Sequence, residues 1–403
     1  MEKQLSTIHV QKSLLNFQCI GPDCEDNCCY DWNIHVDKKH YKLYKKLKDP
    51  EIKSILQTKV KRNKESESEQ TYAYIKHSSC GKCPLLNASN LCTLHLKYGT
   101  DMLCNTCKQY PRKIIEVNDV YWELGDLSCP EIARLTLLPK NKMEFSKKSV
   151  HNKKYRIDES LMMNDAVEKR RHHMIQQFTI TILQNRKYTL SERVWFLGIL
   201  LEELNKVDLN NLEIVEDAIS NMYRRLEVNG IRHHVEEWSL QSKIAVLPQY
   251  IEELFNGCLI TDTRMEQYFD EYKQGIMLEK GAVHIETYKE IHDLYYKPFF
   301  QTYSHIFENY AINHILSSIF PGSSTQLMDL FALLVIELAI LQFLFVGIAG
   351  YHKNLDTVHV ISLLQKYNKH FNHNSNYNPF LVLCLQDCRQ RIPCFKDFLS
   401  IMV

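Results

Sequence analysis

Ten of the fourteen cysteines in this 403-residue chain fall between Cys19 and Cys129, and their spacing is the first sign of chemistry. They form two groups. The first is Cys19-x4-Cys24-x3-Cys28-Cys29, followed directly by Tyr30-Asp31-Trp32. The second is Cys80-x2-Cys83, Cys92 and Cys104-x2-Cys107, with Cys129 set apart in Ser128-Cys129-Pro130-Glu131. Two CxxC pairs, a vicinal pair and several singles make a set of thiolates suited to soft metal. All ten are candidate metal ligands.

Two metals compete for them. Cys80-x2-Cys83 and Cys104-x2-Cys107, with twenty residues between the pairs, fit a four-thiolate zinc site. That accounts for four ligands and leaves six. Adjacent Cys28 and Cys29 are awkward for one tetrahedral ion, whereas vicinal and loosely spaced cysteines suit an iron–sulfur cluster at least as well. A radical-type S-adenosylmethionine enzyme needs Cys-x3-Cys-x2-Cys; Cys24-x3-Cys28 begins that pattern, and Asp31 stands where its last cysteine belongs. No GxGxxG or GxxxxGK[ST] turn occurs, so no familiar nucleotide or methyl-donor motif is visible. Eighteen histidines are available for Cys/His nucleophile chemistry, without a local signature for it. Catalytic and cofactor-binding residues therefore stay unassigned.

The elements that must position these thiols follow from composition and period. Hydrophobic residues make up 45% and charged residues 24%, an ordinary soluble composition long enough for two or three domains. A net charge of +1 gives no bulk field for nucleic acid or an anionic membrane. Twelve glycines and eleven prolines are too few for folds dense in turns, which favours helices. Met1-Glu2-Lys3-Gln4-Leu5 has no apolar signal region, so the expectation is a cytoplasmic protein with reduced thiols. Leu330–Gly350 is interrupted only by Glu337 and Gln342. A carboxylate at its centre is costly in lipid, so a buried core helix is expected and no stable membrane insertion.

Along the chain, Trp32, Ile34 and Val36 alternate as a short strand, and Asp37 caps a helix through Tyr41, Tyr44 and Leu47 that ends at Asp49-Pro50. Lys61–Gln70 reads as a charged loop, and 114–122 as a hairpin turning at Asn118-Asp119. Helices are expected near 160–185, 190–206, 211–228, 231–256, 263–278, 284–319, 324–349 and 355–371. Thr189-x-x-Glu192 opens the second as a capping box, and Gly230 closes the third. Cys384-x3-Cys388 is helical spacing and reads as core packing. The expected fold is mainly α. A small cysteine-rich, metal-binding α+β module over 1–140 and a linker over 141–158 precede an all-helical domain over 159–403.

The residues also carry a resemblance. Cys24-x3-Cys28-Cys29-x2-Trp32-x-Ile34, Cys83-Pro84-Leu85-Leu86, Leu91-Cys92 and Leu103-Cys104-x2-Cys107 ahead of Tyr110-Pro111-Arg112 resemble the cysteine-rich zinc- or iron-chelating family. Within it the pattern is most similar to the flagellin lysine-N-methylase (FliB) branch. Ser128-Cys129-Pro130-Glu131 with Ala133-Arg134-Leu135 fits that branch. So do Glu308-Asn309-Tyr310 with Asn313, Phe320-Pro321, and Lys366-Tyr367 ahead of His373. The resemblance implies a cytoplasmic bacterial enzyme that methylates lysines of flagellin before export. It implies S-adenosylmethionine as methyl donor and a cysteine-bound iron–sulfur cluster of the 4Fe–4S type, with zinc the alternative. Tyr30, Trp32, Tyr121 and Trp122 could attract a cationic ligand by cation–π contact, or simply fill a core. Glu308 and Tyr310 could be polar site residues or helix surface. The rival functions are a non-catalytic zinc-stabilised interaction module and an iron–sulfur electron-transfer protein.

Overall fold

The computed structural model describes residues 5–30, 32, 34–151, 156–227, 237–257, 262–278, 282–323, 326–372, 374, 376–392 and 394–402. The chain is mainly helical, with an α+β region at its N-terminal end, and it divides into two units. The first comprises residues 1–135 with 145–158, the second 136–144 with 159–403.

Strands of the first unit are β1 (Leu5–Gln11), β2 (His35–Val36), β3 (Val60–Arg62), β4 (Ala73–Ile75), β5 (Arg112–Val117), β6 (Val120–Gly125) and β7 (Phe145–His151). Its helices are α1 (Lys38–Lys46), α2 (Pro50–Lys59), α3 (Thr93–Tyr98) and α4 (Asn105–Gln109), and α5 (Pro130–Leu137) leads out of it. One sheet carries β7–β1–β6–β5 in that order, with β1 parallel to β6. The other is β2–β4–β3. Asn118 and Asp119 turn the β5–β6 hairpin with φ of +49° and +65°, the left-handed pair that a two-residue hairpin of matching twist requires.

Four expectations change here. The stretch 141–158, read as a linker, holds β7, which pairs residue for residue with the whole of β1. Pro50, read as a stop, is instead the first residue of α2, and Asp49 caps that helix by accepting from the Ile52 N–H. The strand around Trp32, Ile34 and Val36 shrinks to His35–Val36, with Asp31 and Asn33 outside the described residues. Lys61–Gln70 begins as the end of β3 before becoming turn.

Helices of the second unit are α6 (Ala166–Leu183), α7 (Leu190–Leu204), α8 (Leu212–Glu227), α9 (Glu237–Gly257), α10 (Thr263–Gly275), α11 (Ile285–Ile291), α12 (Lys297–Tyr303), α13 (His305–Ser317), α14 (Leu327–His352), α15 (Thr357–Tyr367), α16 (Tyr377–Arg391) and α17 (Phe395–Met402). The Thr189–Glu192 capping box forms in full. The single helix expected over 284–319 is three, broken by a π-turn at His292–Tyr296 and a joint at Ser304. Gly230, Cys258 and His373 lie outside the described residues.

The core helix α14 organises this unit. By length and composition it could cross a membrane, yet 83% of its most apolar window is buried inside the protein. Its central carboxylate, Glu337, is wholly buried, accepts from the Tyr310 hydroxyl at 2.5 Å and lies 3.1 Å from His314 Nδ1. Helix α10 crosses it backbone to backbone. A Cβ on Gly275 would lie 1.7 Å from the Gly347 carbonyl oxygen, so only glycine permits the crossing.

Candidate functional site

The thiols of the first unit are positioned by backbone pairing and shared caps rather than by long helices. The Cys83 N–H donates to the Cys29 carbonyl at 2.9 Å, and Tyr30 bridges Lys82, which ties the vicinal pair to the first CxxC pair. Leu86 bridges Cys92, closing the loop between them. Asp37 sets the second CxxC pair. Its Oδ1 accepts from the His40 N–H at 3.0 Å and its Oδ2 from the Asn105 N–H at 3.0 Å, so one carboxylate caps both α1 and the turn carrying Cys104 and Cys107. Cys83 and Cys104 are built into an apolar core with Ile52, Leu85 and Leu94.

These ties bring six thiols within electrostatic reach of one another. Cys29 hydrogen-bonds with Cys28 and Cys83, and these bonds, with burial, push its thiol up. Burial would raise Cys83, but the hydrogen bond from Cys29 outweighs it and His77 adds to the pull, leaving Cys83 at about 5. Cys104 and Cys107 repeat the arrangement: Cys107 keeps its proton and shares it with Cys104, which is held low. Cys107 feels both Cys83 and Cys92, and Cys92 feels Cys83 and Cys28. Thiolates this close repel, so one of each pair keeps its proton; a soft cation would take that place and release it.

The remaining candidates stand differently. Cys24 and Cys129 lie within charge range of each other and of Cys28, with Cys24 raised to about 11 and Cys129 to about 12, chiefly by burial. Cys19 and Cys80 are exposed, and Cys80 shares a 3.2 Å hydrogen bond with Ser78. Among the described residues no group of three or more His, Cys, Asp or Glu side chains already surrounds one point as a metal sphere. The donor set fits soft metal, and Cys28, Cys29, Cys83, Cys92, Cys104 and Cys107 are the residues that would hold it by closing in. His77 is an unforeseen neighbour: it lies against Cys83, and its buried Nε2 makes no conventional hydrogen bond. Its place six residues before Cys83 was the only signal. The aromatic candidates divide. Tyr121 and Trp122 are buried, Trp122 stacking on His9 at 4.4 Å, while Trp32 donates its indole N–H to the Cys28 carbonyl and tilts against Tyr110.

The helical unit has its own buried polar groups. Glu308 is not helix surface. It is fully buried and takes Arg186 (2.8 Å) and Arg193 (2.7 Å) on its two oxygens. Beside this triad opens a cavity of about 800 Å³, with walls that include Arg193, His292, Tyr296, Lys297, Phe300 and Gln342. The π-turn contributes His292 and Tyr296, and insertion of one residue in a helix often marks a functional site. Among the described residues no Asp or Glu lines the cavity.

The model of the FliB lysine N-methylase C-terminal domain matches residues 176–389, more than half of the chain and wholly inside the helical unit. The lysine-N-methylase of Salmonella choleraesuis (strain SC-B67) is 32% identical over 136 residues, 34% of this chain and 33% of that protein. That of Salmonella typhimurium is 32% identical over 135 residues, again 33% of each chain. The flagellar biosynthetic protein FliU of Salmonella muenchen is 31% identical over 134 residues, covering 33% of this chain and 78% of that one. The chain thus matches about a third of the length of the two lysine-N-methylases. No solved structure matches. With a family model spanning residues 176–389 and FliU matched over most of its length, the chain belongs to the FliB lysine N-methylase family.

Proposed function

We propose that this protein methylates lysine side chains of flagellin in the cytoplasm, with S-adenosylmethionine as methyl donor and a cysteine-held metal centre in the first unit. The observation that carries the reading is the family match across residues 176–389. The donor supplies an electrophilic methyl group, and the acceptor must offer a neutral amine. A lysine ammonium titrates near ~10.4, so at neutral pH well under ~0.1% is the free amine. The protein must therefore desolvate the lysine or take its proton.

The six gathered thiols support a metal centre: Cys28, Cys29, Cys83, Cys92, Cys104 and Cys107 would bind it as thiolates. An iron–sulfur cluster of the 4Fe–4S type is the favoured occupant and zinc the alternative. Such a centre would order loops that carry little regular structure of their own. A second reading, an electron-transfer or zinc-stabilised interaction protein, draws on the same thiols.

The test incubates protein reconstituted anaerobically with iron and sulfide, S-adenosylmethionine and flagellin, followed by mass spectrometry of lysine peptides. The expected result is a mass gain of one methylene unit or a multiple on specific lysines. Unmodified flagellin from a protein with full metal content would favour the second reading.

A further inference from the structure

We propose that the cavity of the helical unit binds a nucleoside phosphate, an anion carrying a planar base. Its charge is the first argument. Arg186, Lys187, Arg193 and Lys297 line it, and among the described residues none of its lining is acidic. Arg186 and Arg193 share one carboxylate, Glu308, so that triad keeps a net positive charge. Among the described residues the acidic neighbour of Lys297 is the exposed Asp293, 3.6 Å away, and Lys187 adds a further cation. Such a wall favours phosphate oxygens; the arginine forks are engaged by Glu308 and backbone carbonyls, so Lys187 and Lys297 are the groups that would meet the phosphate.

The second argument is the aromatic wall. His292, Tyr296, Phe300 and Phe307 all line the cavity. Successive ring centroids along them are 5.1, 4.6 and 4.9 Å apart, with interplanar angles of 27°, 37° and 33°. Rings packed this closely cover one another's faces, so the row offers a planar heterocycle an aromatic wall to lie against rather than a slot between two rings. A volume of about 800 Å³ leaves room for both base and phosphates.

The third argument lies under the floor. Lys243 is buried, and its ammonium donates to Gln342 Oε1 at 2.7 Å. Among the described residues it has no acidic partner, and burial pushes it down to about 8. It also lies close enough to His292 to disfavour a charge there. A buried cation with no counter-ion is costly, and an anion in the cavity would offset that cost.

The test is calorimetric titration of the full chain with ATP, AMP, adenosine, S-adenosylmethionine and inorganic phosphate, at low and moderate salt. ATP should bind once per chain, at least tenfold more tightly than either adenosine or phosphate alone, and should weaken as salt rises. The double variant Lys187→Glu/Lys297→Glu changes two exposed side chains, so an unaltered melting curve is the control for folding. It should lose ATP affinity at least tenfold, and Lys243→Met should lose less. Absence of ATP binding, or binding unchanged by the double charge reversal, would overturn the proposal. Displacement of ATP by S-adenosylmethionine would overturn it too, by making the cavity a donor site. This outcome is independent of whether flagellin is methylated.

Discussion

In the first unit the groups that could do chemistry are thiols on loops and one-turn helices, held by a few backbone bonds and the single carboxylate of Asp37. In the second they sit in helices, apart from Arg186 in the turn between α6 and α7, with partners far along the chain: Glu308 with Arg186 and Arg193, Glu337 with Tyr310, Lys243 with Gln342. The first kind of site is shaped locally and gains most from whatever it binds. The second is fixed by packing before any ligand arrives. Two regions of one chain therefore answer the same substitution, loss of a buried polar group, in different ways.

The largest effect should come from the first unit when metal is present. Metal–thiolate binding free energy is folding free energy where regular structure is sparse, on the order of 10 kcal/mol for small thiolate sites. Cys29→Ser/Cys107→Ser should lose most of its bound metal and expose residues 19–129 to protease, while the melt of the helical unit stays in place. Full metal content in that variant would reassign the ligands.

Next is the helix crossing. Gly275→Val puts branched carbons where even a Cβ falls 1.7 Å from a carbonyl oxygen. The helical unit should lose roughly 5 kcal/mol or more, read as a collapse of its thermal transition. A melt like the parent's would mean that α10 and α14 do not meet backbone to backbone.

Glu308→Gln removes the carboxylate that the buried Arg193 touches. The expected cost is about 3–5 kcal/mol in urea unfolding, because one partner of a buried pair is left charged. Adding Arg193→Met should recover part of it. If the single variant cost nothing, the triad would be ornamental.

A smaller effect depends on pH. Burial would raise the Asp262 carboxyl, but His370 and Lys366, the latter at 2.5 Å, outweigh it and hold it well below the usual carboxylate range. A depressed folded value means stability that is present above the unfolded value of ~3.9 and lost as pH falls below it. The urea midpoint of the parent should exceed that of Asp262→Asn by an amount worth roughly 2 kcal/mol at pH ~6, and the gap should begin to narrow below pH ~4 and go on closing as the pH falls towards the depressed folded value. A gap constant from neutral to acid would contradict the ion pair.

Much of the local structure was legible in the sequence because its causes lie within a few residues. Asn118-Asp119 turns a hairpin and Thr189-x-x-Glu192 caps a helix through bonds spanning three residues or fewer. Pro50 misled for the same reason: proline stops one helix and starts another equally well, and only the Asp49 side chain on the Ile52 N–H decides. The pairing of β1 with β7 joins residues at opposite ends of the unit's sequence, so nothing local in 141–158 announced a strand. The break at His292–Tyr296 was hidden because the helical period continues through it. Of the candidate site, the cysteines were plain and their grouping was not. Spacing alone could not place Cys83 against Cys29 and His77, nor leave Cys19 and Cys80 exposed. The cavity was out of reach, since its walls come from three separated stretches.

The measurement that bears most directly on the account compares the intact, metal-loaded protein with the same preparation stripped by chelator. Each is given S-adenosylmethionine and flagellin, and methyl groups per flagellin are counted by mass spectrometry. Methylation by the loaded protein, lost on stripping and restored by reloading, is the predicted result. Equal methylation by the stripped protein would contradict it, reducing the thiols to a scaffold with no part in the reaction.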